Sequence, residues 1–345
     1  MRILQIEDEP WDSGIAHYAL TLSAELQRRG HEIHFWGRED SPLLHQASRW
    51  GLKTLGLRRP WSCLPRLRAK VRQAGLELIN AHTGRAHCLA AALAAFSSVP
   101  VVRTRGDARP AVKNPLARLL ASRTTAFIAA NARIQSDLAQ AFPKTRVVMI
   151  PQGIEAGAAL ALPAAPVFGL LGRLDPVKGH ETLMAAAAGI KADHPQVRFV
   201  AVGGGSPQRR ARLDGLVAEL GLGGMWEFTG FVEDVSAQMQ RCSVGIVAST
   251  GSEAVSRAAL EWMAAGRPVV ASAVGCLPDL VVDDETGFLV PPGDPQALAE
   301  ALKRFLQDPS LAARLGAAAR RRFDARYTLK RFADATEALY RGLLA

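Results

Sequence analysis

The chain has 345 residues, 48% of them apolar, with 42 basic and 32 acidic side chains and a formal net charge of +10. That is enough material for two ordinary cores rather than one, and no tandem repeat or low-complexity tract interrupts it. No apolar run reaches the ~18 to 20 residues of a membrane span, and Cys63, Cys88, Cys242 and Cys276 are scattered without a C-x-x-C pair, so reduced thiols and no structural zinc are expected.

The first element is an apolar strand at 2–6 that runs at once into Glu7-Asp8-Glu9, a start unlike a signal peptide and suited to a cytosolic protein. A helix follows, opened by Gly14, whose amide is placed to approach a phosphate or an acceptor. Further apolar runs lie at 76–81, 101–104, 147–150, 167–171, 197–202, 244–248 and 269–271, with helical stretches between them. Continuous apolar strands alternating with helices predict parallel sheets covered on both faces. At 156–166 Ala, Gly, Leu and Pro replace any clear period, and the hinge is placed there. The expected fold is therefore α/β with two parallel-sheet domains, residues 1–160 and 161–326, followed by a final helix at 327–345.

Charge is partitioned unevenly. Residues 1–165 hold 22 basic and 12 acidic side chains, while 166–345 hold 20 of each. The excess concentrates in Arg49, Lys53, Arg58, Arg59, Arg66, Arg68, Lys70 and Arg72, a stretch without a carboxylate and interleaved with Trp50, Trp61 and leucines. A second cluster comprises Arg103, Arg105, Arg109, Lys113, Arg118 and Arg123. Basic residues mixed with Trp and Leu suit an anionic membrane surface; a merely solvated basic face is the competing reading. No nucleic-acid motif accompanies the charge, so no nucleic-acid partner is expected.

The chemistry concentrates in the second half. The strand at 167–171 runs into a turn carrying Arg173 and Lys178, a rigid fork and a point charge that together suit a departing diphosphate. After the next strand, Gly205 and Ser206 are placed to line the same cleft. Glu253 and Glu261 then bracket an apolar stretch read as a helix from about Ala254 to a terminating Gly266. Eight helical steps would separate the two carboxylates by up to ~12 Å, beyond the ~5 to 9.5 Å of glycosidase acid/base pairs. They would instead hold two ends of one extended polar ligand, with the amides of Ala254, Val255 and Ser256 between them as a phosphate site.

Taken in order, Gly172-Arg173 with Lys178-Gly179, Val202-Gly203-Gly204-Gly205, Phe228-Thr229-Gly230-Phe231-Val232-Glu233-Asp234, Glu253 and Glu261 with Gly266-x-Pro268-Val269-Val270-Ala271, and Thr286-Gly287-Phe288-Leu289-Val290-Pro291-Pro292-Gly293-Asp294 resemble the GT-B glycosyltransferases of family 4. The first half matches through Gly30-His31-Glu32-Ile33, Ile79-Asn80-Ala81-His82, Val99-Pro100-Val101-Val102 and Ile150-Pro151-Gln152-Gly153-Ile154-Glu155. It departs at Ser13-Gly14, where the family has a glycine pair, at Gln152-Gly153-Ile154-Glu155, and in Thr104-Arg105-Gly106-Asp107, where a His is usual.

The resemblance implies two Rossmann-like domains facing a cleft, the last helix packed back on the first domain, and transfer of a sugar from a nucleoside diphosphate to a glycan or glycolipid hydroxyl with retention and without a metal. It assigns Glu253 to the donor sugar's hydroxyls, Glu261 to the ribose diol and the Val232 backbone to the nucleobase. His82 is placed to touch the transferred sugar, with Arg105 and Asp107 on the acceptor side. A metal site at Asp8, Glu9 and Asp12 is set aside, since such a motif belongs to the other glycosyltransferase fold. An inverting mechanism with Asp8, Asp12 or Asp107 as base stays open, as does a non-catalytic sugar-nucleotide or glycan-binding subunit of an assembly complex. A nicotinamide dehydrogenase is excluded, because no G-x-G-x-x-G follows the first strand. The expected setting is cell-envelope polysaccharide or lipopolysaccharide-core synthesis, in the cytoplasm or peripheral on the inner face of the cytoplasmic membrane.

Overall fold

The computed structural model describes every residue except Trp11, Asp12, Phe96, Ala108, Ala164 and Ser252. The carboxylate considered at Asp12 therefore lies outside the described residues. The chain divides into two compact units, one of residues 1–153 with 329–345 and one of residues 154–328.

Unit 1 contains seven strands: β1 (Arg2–Glu7), β2 (Glu32–Arg38), β3 (Lys53–Leu57), β4 (Leu78–Ala81), β5 (Val101–Arg105), β6 (Ala126–Ala129) and β7 (Arg146–Met149). Their order is β3-β2-β1-β4-β5-β6-β7, all parallel. β4, β5 and β6 are buried along their whole length, as strands covered on both faces require. The helices between them start where short polar side chains accept a first-turn amide: Ser13 caps Gly14–Arg28, Thr83 caps Gly84–Ala94 and Asn131 caps Ala132–Ala141. The last helix, Leu329–Leu344, belongs to this unit. Phe332 meets the Tyr18 ring edge-on at 4.5 Å, and Tyr340 accepts a 2.7 Å hydrogen bond from the Asn80 amide on β4.

Unit 2 contains β8 (Val167–Leu171), β9 (Arg198–Val202), β10 (Trp226–Gly230), β11 (Val244–Val247), β12 (Val269–Ser272) and β13 (Gly287–Val290), in the order β10-β9-β8-β11-β12-β13 and again all parallel. On one face the fully buried Trp262, from the helix Arg257–Ala264, seats its indole against β8 and β11. A Cβ at Gly169 would stand 2.6 Å from that ring and one at Gly245 2.2 Å from it, so both strands carry glycine beneath the indole.

The boundary between units falls at Gly153 and Ile154, ahead of the 156–166 segment where the loss of periodicity suggested a hinge. That segment is bound to unit 2. The fully buried Arg267 donates to the Leu160 carbonyl at 2.8 Å and to the Ala161 carbonyl at 2.6 Å, and Leu160 donates its amide to Ala265. At Gly157, Leu160 and Ala161 side-chain hydrogen bonds from Arg320 and Arg267, rather than a strand or helix ladder, hold the backbone carbonyls.

In each sheet the chain direction reverses beside its first strand, between β1 and β4 and between β8 and β11. Loops leave the carboxyl ends of such a pair in opposite directions and open a crevice there, the usual ligand position in open parallel sheets.

Candidate functional site

In unit 2 the sequence-selected residues gather at the carboxyl edge of the sheet. β8 ends at Leu171, and a turn carrying Arg173 leads through Pro176–Lys178, one turn of 3-10 helix, to Gly179. Gly179 sits at φ +72, and a Cβ there would come within 1.9 Å of the Ala248 carbonyl oxygen, so only glycine lets the chain pass so close to the end of β11. The amide of Thr250 donates to the Val177 carbonyl at 2.9 Å, fastening the loop after β11 to the turn after β8.

That contact brings Lys178 to Glu253. Lys178 Nζ lies 2.5 Å from Glu253 Oε1, which also accepts from Ser249 Oγ at 2.6 Å. The Glu253 side chain is 2% exposed and the lysine 29%. Arg173 is 65% exposed and pairs with Asp175 at 2.8 Å, leaving most of its fork directed to solvent. Arg209, from the helix Pro207–Glu219, supports the turn by donating to the Leu174 carbonyl at 2.6 Å while bridging to Glu181. The edge thus holds one buried, paired carboxylate with one half-buried and one exposed cation, an arrangement able to bind an anion and orient a hydroxyl.

Several local expectations change. The helix after Glu253 begins at Arg257, not Ala254, with Ser256 as its cap. The Glu253 carbonyl accepts the Cys276 amide at 2.7 Å, and Ala254 is buried, so the chain stays bent through 254–256. Only four of the eight steps to Glu261 are helical, and the ~12 Å axial separation drawn from eight does not hold. Ala254, Val255 and Ser256 are loop residues beside Glu253 rather than a helix N-terminus; the first-turn amides belong to Arg257, Ala258 and Ala259. Glu261 is paired with Arg257 at 2.9 Å one turn earlier. Gly205 packs against the Leu174 side chain, 2.7 Å from where its Cβ would be, so its small size serves that contact. Val232 is half-buried after β10, beside Phe231, which is 84% exposed.

In unit 1, Gly14 begins its helix directly after the cap Ser13, whose hydroxyl donates to Glu9. His82, at the end of β4, is 2% exposed, with Nε2 2.8 Å from Gln5 Oε1. Burial, reinforced by the nearby Arg103, holds its pKa down at about 3, so the ring is neutral at ordinary pH. The Arg105 guanidinium is committed inside the unit, to Asp107 at 3.3 Å, Asp137 at 3.2 Å and the Arg109 carbonyl. Asp107 correspondingly accepts from Arg105 and from the Arg109 amide. The phosphate and hydroxyl roles expected of this pair compete with those internal bonds. Asp8 accepts from Thr83 and lies 3.4 Å from Arg85.

Sequence reasoning passed over two buried titratable groups, His180 and Glu7, and placed a third, Arg103, with Arg105 in a basic surface cluster although both are buried. His180, directly after Gly179, is fully buried and neither ring nitrogen has a partner among the described residues; burial lowers its pKa to about 4. Glu7, the last residue of β1, is fully buried, and burial raises its carboxyl to about 8. Arg103 lies within β5, 5% exposed, and burial lowers it to about 10. The available signal was a charged residue inside an otherwise apolar strand, Glu7 after 3–6 and Arg103 after 101–102.

Residues 13–157 match the family described as Glycosyltransferase Family 4, and residues 159–322 match Glycosyl transferases group 1. A D-inositol 3-phosphate glycosyltransferase of Streptomyces avermitilis is 37% identical over 175 residues, 48% of this chain and 38% of the relative. A lipopolysaccharide core biosynthesis mannosyltransferase, LpcC, of Rhizobium leguminosarum is 32% identical over 198 residues, 56% of each. The matches thus span about two fifths to a little over half of these relatives' length. Among solved structures, Anabaena Alr3699/HepE in complex with UDP superposes with a TM-score of 0.87 at 22% identity, over 99% of this chain and 100% of the other. With two parallel-sheet units and both halves matched, the chain belongs, over residues 13–322, to the GT-B glycosyltransferases of the family 4 type.

Proposed function

We propose that the chain transfers a sugar from a nucleoside diphosphate sugar to a glycan or glycolipid hydroxyl, with retention of anomeric configuration and without a metal. One observation carries the reading: the buried Glu253 held by Lys178 and Ser249 at the carboxyl ends of β8 and β11, with the exposed Arg173 on the same turn. As the bond from the anomeric carbon to the diphosphate breaks, negative charge grows on the leaving oxygens. Lys178, held by the buried Glu253, and the exposed Arg173 neutralise it, which a divalent ion would otherwise do. Glu253 and Ser249 orient the donor sugar's hydroxyls, Glu261 the ribose, and the backbone at Val232 the base. Gly205, Ala254, Val255 and Ser256 line the donor path. Gly14, His82, Arg105 and Asp107 serve the unit 1 side, where the acceptor is held. Chelator-treated protein titrated with UDP, the nucleotide bound by the Anabaena neighbour, should gain stability. GDP and ADP complete the panel, and no shift with any of the three refutes the donor reading.

The acceptor side suits a lipid-borne glycan at an anionic bilayer, as expected for envelope or lipopolysaccharide-core synthesis. The helix Pro115–Ser122 buries only Ala121 and exposes Leu116 and Leu119, with Val112 exposed just before it. Arg109, Lys113, Arg118 and Arg123, all exposed, lie in the same stretch of chain, and each cation near an anionic surface contributes about 1 kcal/mol. No helix among the described residues is long and apolar enough to cross a membrane. Flotation should show binding to phosphatidylglycerol vesicles and little to phosphatidylcholine; equal or absent binding removes the membrane proposal.

A further inference from the structure

Unit 1 contains a cavity of about 570 Å³ at the carboxyl ends of four adjacent strands, β3, β2, β1 and β4. It spans the β1/β4 reversal, where ligands of open parallel sheets collect. Its floor is apolar, made by the buried Ile6, Leu57, Ala86 and Leu89. One wall is the indole of Trp61, 57% exposed although it lines the cavity. Around the rim stand three guanidiniums, Arg38, Arg58 and Arg85, interleaved with the carboxylates of Asp8, Glu39 and Asp40. Arg85 is paired with Asp8 at 3.4 Å. The side chains of Arg38, Arg58, Glu39 and Asp40 make no hydrogen bond or ion pair among the described residues. Asp40 is also held at φ +63, a left-handed conformation that few non-glycine residues adopt.

These groups divide the recognition of one kind of ligand. A flat aromatic wall over an apolar floor packs the C–H face of a sugar ring. Carboxylates accept from ring hydroxyls, and guanidinium forks match the paired oxygens of a phosphate or carboxylate. The forks of Arg38 and Arg58, unpaired among the described residues, match an oxyanion better than a hydroxyl, and a bare anion would leave the indole and the floor uncovered. We propose that this cavity binds a sugar ring bearing an oxyanion, and that this ring is the acceptor. Only its role as acceptor rests on the transfer reaction proposed above; the binding itself does not.

The test is binding, measured by titration calorimetry on the full chain with glucose 6-phosphate, glucuronate, glucose and inorganic phosphate. At least one charged sugar should bind tenfold or more tightly than glucose and than inorganic phosphate, and which of the two does so separates phosphate from carboxylate recognition. Arg38→Gln and Arg58→Gln should each weaken that binding about tenfold, as loss of one charge-assisted contact does, Trp61→Ala should weaken it up to about tenfold through the lost ring packing, and all three, at exposed side chains, should leave UDP binding unchanged. The proposal is overturned if glucose or inorganic phosphate binds as well as both charged sugars, if none of the four binds, or if the three variants bind like the parent. Charged-sugar binding without UDP binding would sink the donor reading and leave this one standing.

Discussion

Replacing Lys178 by alanine separates the catalytic role proposed for it from its structural one. At the 2.5 Å separation from Glu253 Oε1, two unit charges attract by about 7 kcal/mol at an effective dielectric of ~20. Much of that offsets the desolvation of a carboxylate only 2% exposed. Breaking a buried pair by deleting one member costs about 3–5 kcal/mol, and because the lysine is partly exposed the loss should lie near 3. Turnover should fall by about 10²–10³, as on removal of one oxyanion donor. The double variant Lys178→Ala with Glu253→Gln removes both charges and keeps an oxygen for Ser249 Oγ to donate to. It should recover most of the stability and none of the turnover. Urea unfolding and turnover of the sugar nucleotide that the parent protein consumes measure the two effects separately. Near-parental turnover in Lys178→Ala refutes the role in leaving-group stabilisation, and unchanged stability refutes the buried pair.

Two further outcomes follow. His82, His180 and His87, the last buried on the helix Gly84–Ala94, are held by burial at about 3, 4 and 3, and burial lowers His31 as well, so below their unfolded value near 6.5 the unfolded chain binds at least three protons the folded chain does not. Glu7, raised by burial to about 8, binds one proton in the folded state alone above its unfolded value near 4.5. Between pH 4.5 and 6.5 the net difference of at least two protons should lower stability by about 3 kcal/mol or more per unit of acidification. Between 6.5 and 8 Glu7 alone lowers it by about 1.4 kcal/mol per unit of alkalinisation. Unfolding at pH 5.5, 6.5 and 7.5 should place the maximum near 6.5, and a flat acid limb would contradict the burial of the histidines. Gly179→Ala should cost at least ~2 kcal/mol, through the strained backbone and the clash with the Ala248 carbonyl, and should weaken UDP binding. Gly189→Ala, on a helix with open space around the added methyl, should be neutral or stabilising by up to ~1 kcal/mol; equal Tm values for the two would remove the argument for a tight turn.

What the residues alone disclosed depended on how strongly local pattern and tertiary packing agreed. The apolar runs that became β1, β4, β5, β8, β9, β11 and β12 are continuous because both of their faces are covered. β3 was read only as part of a basic surface: it is an edge strand, half-exposed along Lys53–Leu57, so it carries no such run. β6 is four residues flanked by alanine, too short to stand out from helical sequence. At the carboxyl edge of the unit 2 sheet the gathering of Arg173, Lys178 and Glu253 was legible. The start of the helix after Glu253 was not, since it is set by the distant Cys276 amide rather than by the alanines that follow. The commitment of Arg105 to Asp137 and the burial of Glu7 likewise arise from neighbours far along the chain or sheet.

The seating of Trp262 on two glycines has an evolutionary corollary. Because the indole edge meets bare backbone at Gly169 and Gly245, the helix bearing Glu261 can neither roll nor slide without driving a ring into a strand. An alanine at either position would require a smaller residue at 262 in the same lineage, a paired exchange that single-step drift rarely reaches. Changes in what the carboxyl edge of this sheet binds are therefore more accessible in descendants of this chain through the turns at the strand tips, where Phe231 stands open to solvent, than through any re-aiming of the helix.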